Sequence, residues 1–546
     1  MYFTSSMDGS KQKHNISLIP LVALLLVSGC LQEDTILPPS PPEEPSLPDG
    51  IFVTGPDGLN VSDEPLLMDF VFSDVGEQGA EPSIGVTSSG CIFFIAFEKP
   101  MRSCDYGQSW INAAEGDPTQ APFTNDPYGW VDNVTDRVFN IHMMGLQTTW
   151  IGWSDNDGET WAGNPHDSGT TPLNDHIKLG SGPWTDEGLY AAIGQGSSNL
   201  YEQAVYFCYN KLAGIFCFTS FDGGASFEAG GQIIGLATTN GGLHGAITTA
   251  ADGTVYLPPR VSTPTVIFSK DNGFSWEQRT MGEDVGTPNP RKNAEVATDT
   301  LSNAYHTWVG ADEGIYMSRS TDSGNTWEQE STRISPAGVI STTFPHTSAG
   351  SPGRIAITYL GSENASALGQ PNIDDEPWDG NAHYAPANVS YHLYITYSLN
   401  ALDPNPVFHT QRVTSDPVQM GSICLNSGDC RDTGGDRSNR NLLDFNDLHI
   451  DLEGRVYVAF ADGCTGTCAS GEDTSPENSR DRLGSVYYLG NGPSLYESVG
   501  NLSILIPPLG APEPFISNHI LSISFTTFAV LPSLKTSRIR SLLELD

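Results

Sequence analysis

An octapeptide occurs five times in this sequence, and it constrains the fold more than any other feature. Its pattern is Ser-x-Asp-x-Gly-x-Ser/Thr-Trp/Phe, with Asn156 replacing the Asp in the second copy. The copies occupy residues 103–110, 154–161, 220–227, 269–276 and 320–327. Successive copies start 51, 66, 49 and 51 residues apart. A period of about 50 residues with strand-like flanks is typical of β-propellers and other repeat arrays.

Each octapeptide has the chemistry of a tight turn. Asp, Asn and Ser side chains accept hydrogen bonds from nearby backbone N–H groups, and Gly adopts a conformation that other residues avoid. The closing aromatic ring can pack against a neighbouring strand or blade. Because Asn156 keeps the acceptor oxygen without the charge, we predict a structural role for the third position. The residues there are Asp105, Asn156, Asp222, Asp271 and Asp322.

The segments before the octapeptides also repeat. Each has a short apolar strand, a Gly or Asn turn and an alternating strand. Seven such openings begin near residues 81, 126, 175, 244, 294, 343 and 446, and the last two lack a good octapeptide. We predict an all-β fold, a single β-propeller of seven four-stranded blades over residues 65–495, with six blades as the alternative. A strand within residues 67–72 is expected to close the ring with the last blade.

The octapeptides resemble the Asp-box, or BNR, repeat of the sialidase-like β-propeller superfamily. This resemblance implies that each box joins the third and fourth strands of a blade. For a true sialidase it also implies three arginines that bind a sugar carboxylate, an Asp acid/base and a Tyr nucleophile partnered by a Glu. The resemblance is specific for the fold and much less so for an activity.

The sequence departs from the sialidase pattern at the expected site. The first arginine of the family opens the first blade in a Tyr/Phe-Arg-Ile-Pro motif, but residues 81–84 read Glu-Pro-Ser-Ile and no Arg precedes Arg102. Residues 293–296 resemble the strand that carries the family's Glu, here Glu295, but the arginine expected downstream is missing. No nucleophile is marked among the candidates Tyr359, Tyr384, Tyr391 and Tyr394. Ordinary sialidase chemistry is therefore not expected.

Alignment of the seven openings places five acids and two histidines near one rim of the central channel. They are Glu81, Asp126, Asp175, His244, Glu295, His346 and Asp447. Carboxylates suit Ca²⁺ or Mg²⁺, histidines admit other divalent cations, and the set could also supply an acid/base pair. The alternative is that these side chains cap strand ends, bind backbone N–H groups or face channel water. If the chain is an enzyme, the candidate catalytic residues are Glu295, Asp447 and Glu81.

The two ends of the chain differ from the repeats. Lys11 and Lys13 precede an apolar run over residues 16–27, which is the layout of a secretory signal. Val-Ser-Gly-Cys at 27–30 resembles the lipobox of prokaryotic lipoproteins, which implies lipidation of Cys30 and anchoring to the outer face of the cell membrane. An ordinary signal or an uncleaved anchor is the alternative. Residues 31–64 are a Pro/Glu-rich tether, and residues 496–546 form a C-terminal tail.

Eight of the nine cysteines fall into four close pairs. An even, locally paired set predicts disulfides in an oxidising compartment, while no CxxC or HxxxH spacing supports a zinc site. The predicted disulfide cysteines are Cys91 with Cys104, Cys208 with Cys217, Cys424 with Cys430, and Cys464 with Cys468.

Two long loops separate strands of the later blades. Residues 374–380 combine acids with Trp378, and residues 421–440 contain Arg431, Arg437 and Arg440. A solvated loop is the expectation for the first, although acids beside a Trp can also hold sugars or cations. Ion pairing with acidic neighbours is the expectation for the second, with binding of an anion as the alternative. Long loops on a rigid scaffold are where function commonly lies.

The charge limits the partners. With 25 Lys and Arg against 65 Asp and Glu, the formal net charge is −40. This excludes general nucleic-acid binding and argues against docking on anionic membranes through basic patches. We therefore expect a lipid-anchored extracellular propeller that binds a glycan or protein ligand on a loop-rich face. A glycoside hydrolase of altered specificity, lacking the arginine triad, is the alternative function.

Overall fold

The computed structural model of the chain describes residues 51–53, 66–167, 174–185, 200–211, 214–227, 229–235, 243–288, 294–426, 430 and 438–503. The predicted signal, lipidation at Cys30, and most of the tether and C-terminal tail lie outside the described residues, as do Arg431 and Arg437. The described residues are almost entirely strands and turns. Their three 3-10 helices are single turns: Ala365–Ala367, Ala382–Tyr384 and Pro476–Asn478.

Seven antiparallel sheets follow one another along the chain as the blades of a propeller. Two strands, β1 (Ile51–Val53) and β2 (Asp69–Gln78), precede the first blade. Blade one contains, from the inside outward, β3 (Ser83–Val86), β4 (Ile92–Ala96), β5 (Lys99–Ser103) and β6 (Ile111–Asn112). Blade two contains β7 (Asp126–Val131), β8 (Val138–Met144), β9 (Thr148–Ser154) and β10 (Ala162–Asp167). Blade three contains β11 (Asp175–Gly182), β12 (Ala204–Lys211), β13 (Gly214–Ser220) and β14 (Ala229–Gly235).

The later blades repeat this order, and two of them gain an extra strand. Blade four contains β15 (Thr248–Thr249), β16 (Val255–Leu257), β17 (Thr265–Ser269) and β18 (Glu277–Thr280). Blade five contains β19 (Glu295–Thr298), β20 (Ala304–Val309), β21 (Ile315–Ser320) and β22 (Thr332–Arg333). Blade six contains β23 (Ser341–Ala349), β24 (Ile355–Ser362), β25 (Ser390–Ser398) and β26 (His409–Arg412), with β27 (Gln419–Met420) paired to β25. Blade seven contains β28 (Asp447–Ile450), β29 (Val456–Asp462) and β30 (Leu483–Pro493), with β31 (Asn501–Leu502) paired to β30.

The ring closes where the two ends of the propeller meet. Strand β2 pairs with β30 and becomes the outer strand of blade seven. The first strand of each blade contacts that of the next, and β28 contacts β3. The prediction of seven blades is confirmed, and so is the closing strand. Strand β1, within the segment expected to be tether, pairs with β26 and extends blade six.

Burial follows the position of a strand within its blade. Every residue of β4 and of β12 is buried, because neighbouring blades cover both faces of a second strand, and such strands read as near-continuous apolar runs. The outer strand β10, Ala-Gly-Asn-Pro-His-Asp, is mostly exposed. Each fully buried large apolar side chain contributes about 1.5–3 kcal/mol, so the stabilising contacts lie mainly between blades.

The octapeptides form the turns between third and fourth strands. In blade three, the Asp222 carboxylate accepts hydrogen bonds from Ser220 Oγ at 2.8 Å, Ser226 N at 2.8 Å and Ser226 Oγ at 2.7 Å. In blade two, Asn156 Oδ1 accepts from Ser154 Oγ at 2.9 Å and Thr160 N at 3.0 Å. The third position therefore closes the turn through its acceptor oxygen whether or not it carries a charge.

The fourth position of the octapeptide joins neighbouring blades. Asp157 Oδ1 accepts a hydrogen bond from Thr87 Oγ1 of blade one at 2.7 Å, and Asn272 Oδ1 accepts from Thr185 Oγ1 of blade three at 2.8 Å. All five residues at this position have a left-handed backbone, with φ from 53° to 72°. They are Tyr106, Asp157, Gly223, Asn272 and Ser323. The box turns and the turns between first and second strands thus share one face, which we call the turn face. The opposite face is the loop face.

All four predicted disulfides are present: Cys91–Cys104, Cys208–Cys217, Cys424–Cys430 and Cys464–Cys468. Cys208 and Cys217 are direct partners across β12 and β13. Such a set indicates a protein that folds in an oxidising environment. Across the described part of the chain, no helix has the length and apolar character needed to span a membrane.

Candidate functional site

Three carboxylates of the predicted rim hold the backbone of a neighbouring blade. Each belongs to the first residue of an inner strand, is almost completely buried and accepts a hydrogen bond from a backbone N–H of an adjacent blade. The bonds run from Ile84 N to Asp447 Oδ2 at 2.8 Å, from Ile177 N to Asp126 Oδ2 at 2.9 Å, and from Ala246 N to Glu295 Oε2 at 2.8 Å. These carboxylates therefore fasten blade seven to one, two to three, and five to four.

Burial changes the protonation of this rim. It is the main cause that raises the pKa of Asp126 to about 7, and the negative charge of Asp175 raises it further. Burial also raises the pKa of Glu295, against the lowering effect of His346. A desolvated carboxyl favours its neutral form, so part of the acidity counted in the sequence is uncharged in the folded protein near neutral pH.

His346 completes the junction at Asp447. Its Nδ1 accepts a hydrogen bond from Leu448 N at 3.2 Å, and its Nε2 lies 3.1 Å from Asp447 Oδ1. Asp447 thus accepts hydrogen bonds from Ile84 N and from its neighbour Leu448 N, with the His346 ring beside it, and these bonds hold its side chain in place.

Glu81 contacts an acid that the sequence did not single out. It is hydrogen-bonded to Asp444, and burial, followed by the charges of Asp444 and Asp126, raises the pKa of Glu81 well above its usual range. Asp444 is half-buried, and Arg440 binds it through two hydrogen bonds and holds its pKa far below the usual range. The expectation that Arg440 pairs with an acid is confirmed.

The channel is filled at the loop face. Phe445 lies at its centre, with its ring centroid 3.5 Å from Lys178 Nζ, 6.3 Å from the Tyr128 ring and 6.1 Å from the His176 ring. Lys178 is buried, and its ammonium lies 4.3 Å from the Tyr128 centroid, so both rings receive a cation–π contact. Burial lowers the pKa of Lys178, while the carboxyls of Asp126 and Glu81 oppose that effect. Phe445 and Lys178 therefore occupy space near the starts of the inner strands of blades two and three.

Blade three departs from the predicted alignment. Asp175 is exposed, and the adjacent His176 is buried. A register shift between Asp175 and Lys178, with a left-handed His176 at φ 56°, turns the strand by one residue. The ring centroids of His176 and His244 then lie 5.6 Å apart at the channel. Burial lowers the pKa of both histidines.

The other sequence candidates do not assemble into a second site. No group of three or more His, Cys, Asp or Glu side chains among the described residues is arranged to hold a metal ion. Tyr394 donates to Glu363 at 2.7 Å, a Tyr–Glu pair, but Tyr394 is fully buried in the apolar core beside β21 and β24. Trp378 is also buried, and its indole N–H donates to Asn381 O. Residues 374–377 and 379 are exposed or half-buried, as expected for a solvated loop, whereas Trp378 itself packs into the core of blades six and seven.

The open part of the channel lies at the turn face. A cavity of about 290 Å³ is lined by the second halves of the inner strands, with His346 and Asp447 at its inner end. Its aromatic walls are Tyr128, Trp130 and Tyr496. The Trp130 N–H donates to Ser181 Oγ at 2.8 Å, which fixes the indole at the wall.

The cavity wall presents hydrogen-bond acceptors. Three hydroxyls use their single proton on the backbone of a neighbouring blade: Thr248 on Val296 O, Thr298 on Thr249 O and Ser348 on Leu448 O. Their lone pairs remain available for a ligand. The lining includes Asp132 and Asp447, and no Lys or Arg is among the described residues that form it. Such a wall suits a neutral ligand that is rich in hydroxyl donors and disfavours an anion.

The sequence carried a weak signal for this cavity. A Ser or Thr falls near the end of several inner strands, at Ser181, Thr248, Thr298 and Ser348, but the same residues suit any strand end. Trp130 stands in the second opening without any motif around it. The residues were missed because their common environment arises only when the blades close into a ring.

Neither a protein-family model nor a curated protein matches the sequence. Solved structures similar to the chain include YCF48 from Cyanidioschyzon merolae, with 8% identity, a TM-score of 0.41 and coverage of 77% of this chain and 98% of that one. A GH74 xyloglucanase from Xanthomonas campestris shows 12% identity and a TM-score of 0.39, covering 72% and 54% of the two chains. A mutant of NanB sialidase from Streptococcus pneumoniae shows 11% identity and a TM-score of 0.35, covering 79% and 71%. At these identities, the function has to be argued from the residues of this chain.

Proposed function

We propose that this chain is a carbohydrate-binding β-propeller that holds a neutral sugar in its turn-face cavity and does not hydrolyse it. The observation that carries the proposal is the lining of that cavity. Acceptor oxygens of Thr248, Thr298 and Ser348 surround a space walled by Trp130 and Tyr128. Sites for small ligands combine an apolar or aromatic wall with a few fixed polar groups, and hydroxyl-rich sugars match these acceptors.

The proposed binding face is the turn face, whereas the sequence analysis expected a ligand on a loop-rich face. Phe445 and Lys178 fill the channel at the loop face, whereas the turn face leaves the cavity open. The absence of Lys and Arg from the lining agrees with the missing arginine triad, since a sugar carboxylate would find no cation there. We therefore propose selectivity for neutral over anionic sugars.

Binding without turnover is supported by the state of the acids. Asp447, Glu295 and Asp126 are engaged by backbone N–H groups, and Glu81 by Asp444. A glycosidase of the usual kind needs one carboxylate free to act on the sugar or on water and a second to protonate the leaving oxygen. The hydrolase alternative would require at least two of these acids to leave their present partners.

A glycan array followed by calorimetry tests the proposal. We expect binding of at least one neutral glycan and no binding of uronate- or sialate-terminated ones. Trp130→Ala should weaken binding about 5-fold or more because the ring forms part of the wall, at about 1 kcal/mol or more for an aromatic contact. Phe123→Ala is the matched control, since Phe123 is 47% exposed and does not line the cavity.

The same protein distinguishes the alternative function. A panel of chromogenic glycosides should show no turnover by the wild-type protein. Hydrolysis that disappears in Glu295→Gln or Asp447→Asn would replace the binding proposal with the hydrolase. Failure of the wild-type protein to bind any glycan would reject both sugar-based functions and leave a protein ligand as the partner.

We also propose that the chain is exported and held at the outer face of the cell membrane by a lipid on Cys30. The lipobox-like residues 27–30 and the four disulfides support this location. Cys30→Ala should move the protein from the membrane fraction to the soluble exported fraction. An unchanged membrane fraction would favour an uncleaved anchor.

A further inference from the structure

A second crevice opens on the turn face beside the central cavity. It has a volume of about 380 Å³ and is lined by Trp184, Thr185, Asp252, Lys270 and Ser323, among others. These residues come from the first turns of blades three and four and from the boxes of blades four and five. The crevice therefore lies further from the propeller axis than the cavity, on the same face.

The cavity and the crevice are separated by very little chain. Pro183 lines the cavity and its neighbour Trp184 lines the crevice. Thr249 lines the cavity and Ala251, two residues later, lines the crevice. Consecutive Cα atoms are about 3.8 Å apart, so one ridge, one or two residues wide, divides the two spaces.

Trp184 is held rigidly at the crevice. Its ring stacks on Phe221 with centroids 5.5 Å apart and planes 9° from parallel, and its N–H donates to Tyr201 O at 2.9 Å. The indole orientation is thus fixed by two contacts on its own blade. A rigid aromatic surface loses little conformational entropy when a ligand packs against it.

The polar groups of the crevice include both hydrogen-bond donors and hydrogen-bond acceptors. Lys270 supplies donors, and Asp252 and Ser323, which are bonded to each other, supply further acceptor positions. A planar aromatic wall with donors and acceptors around it suits a sugar ring, as the wall of the cavity does. Each space alone is near the lower end of the about 300–1,000 Å³ typical of small-molecule sites, and the two together fall within that range.

From this arrangement we infer that the ligand is an oligosaccharide that spans both spaces. One sugar ring occupies the cavity at Trp130, a second crosses the ridge at Pro183, and a third packs at Trp184. This inference rests on the proposed carbohydrate-binding function and specifies its substrate class. A site for a single sugar would use the cavity alone.

Calorimetry with oligosaccharide series of one to six rings tests the inference, using cello-, xylo- and chito-oligosaccharides as probes. For the series that binds, affinity should rise at least 10-fold between one and three rings and then level off. Trp184→Ala should lower the affinity for the trimer about 10-fold and leave the affinity for the monomer unchanged. Lys270→Ala is a second crevice variant, expected to act in the same direction without removing an aromatic side chain that packs on a neighbour.

Phe274→Ala provides the matched control. Phe274 belongs to the same box as Lys270, is 61% exposed and does not line the crevice, so trimer binding should be unchanged. Equal affinity for the monomer and the trimer would overturn the inference. It would also be overturned if both crevice variants bound the trimer as well as the folded wild-type protein does, while Trp130→Ala still abolished binding. If the proposed carbohydrate-binding function itself is wrong, the result will differ, because no member of any oligosaccharide series will then bind.

Discussion

Asp447 binds the backbone of Ile84 across 363 residues of sequence, with Oδ2 accepting the Ile84 N–H at 2.8 Å. This hydrogen bond joins the inner strand of the last blade to that of the first. The side chain that the sequence placed at the channel rim thus contributes to the closure of the ring. The same geometry recurs at Asp126 and Glu295 with their own neighbours.

Asp447→Ala should destabilise the propeller by about 1–3 kcal/mol, because it leaves the buried N–H of Ile84 without its side-chain acceptor, while Leu448 N keeps its bond to His346 Nδ1. Urea denaturation measures the difference in unfolding free energy. Asp447→Asn is the control: it keeps an acceptor oxygen and should recover most of the loss. Equal stability of Asp447→Ala and the wild-type protein would mean that the bond is not needed for closure.

Asn272→Ala should cost about 3 kcal/mol, because Asn272 is fully buried, bonds to Thr185 and Tyr206 and has φ 58°. Asn272→Gly removes the same side chain and tolerates the left-handed backbone. The Ala variant should therefore be less stable than the Gly variant by about 1 kcal/mol. Thermal and chemical denaturation of the Ala and Gly variants separate the contribution of the Asn272 side chain from that of the left-handed backbone. A Gly variant as stable as the wild-type protein would show that the contact with blade three contributes nothing.

The lowered pKa of Asp222 predicts that the protein loses stability in acid. Burial alone would raise its pKa, but hydrogen bonds from Ser226 and Ser220 outweigh that effect and lower it. A carboxyl whose pKa is lower in the folded state stabilises the protein above its unfolded pKa, and this contribution is lost as the pH falls through the folded pKa. Asp222→Asn, which imitates Asn156, should flatten the acid limb of a plot of melting temperature against pH and stay within about 1 kcal/mol of wild type at pH 7. An acid limb as steep as that of wild type would contradict this role.

Asp126 predicts the opposite trend at higher pH. Burial, then the charge of Asp175, raises the pKa of Asp126 to about 7. A carboxyl with a raised folded pKa stabilises the protein below its unfolded pKa, and this contribution is lost as the pH rises through the folded value. The Asp126 contribution to stability should therefore be lost between about pH 4 and pH 8. Asp126→Asn keeps an acceptor for Ile177 N and should melt higher than wild type at pH 8, by on the order of 2 °C, with a smaller difference at pH 5. Glu81 and Glu295 retain their own dependence, so the slope should decrease without vanishing.

The fold was largely predictable because the octapeptide turn recurs five times with one chemistry. Its third position could be interpreted from Asn156 alone, which shows that the acceptor oxygen is what matters. The fourth position could not, because Tyr106, Asp157 and Ser323 share no chemical class. They share only a left-handed backbone and a neighbour in the adjacent blade.

The site was harder to predict for a related reason. The openings place Asp126, Glu295 and Asp447 at the starts of inner strands, but the partners of these carboxylates are backbone N–H groups, which leave no mark in a sequence. Phe445 fills the rim through the path of the chain between blades six and seven, and no repeat indicates that path. The cavity was missed because its lining is shared among blades, so only the closed ring brings Trp130 near Thr298.

The closing strand has a consequence for synthesis. Strand β2 is synthesised well before its partner β30, which starts at Leu483, about 400 residues after β2 ends. At 5–20 residues per second, the ribosome needs about 20–80 s to deliver that partner. Until then an unpaired strand edge is open to wrong pairing. The charges of Asp69 and Asp74 on this strand are well placed to keep the waiting segment soluble, so neutralising both should increase aggregation of nascent chains more than it affects the finished protein.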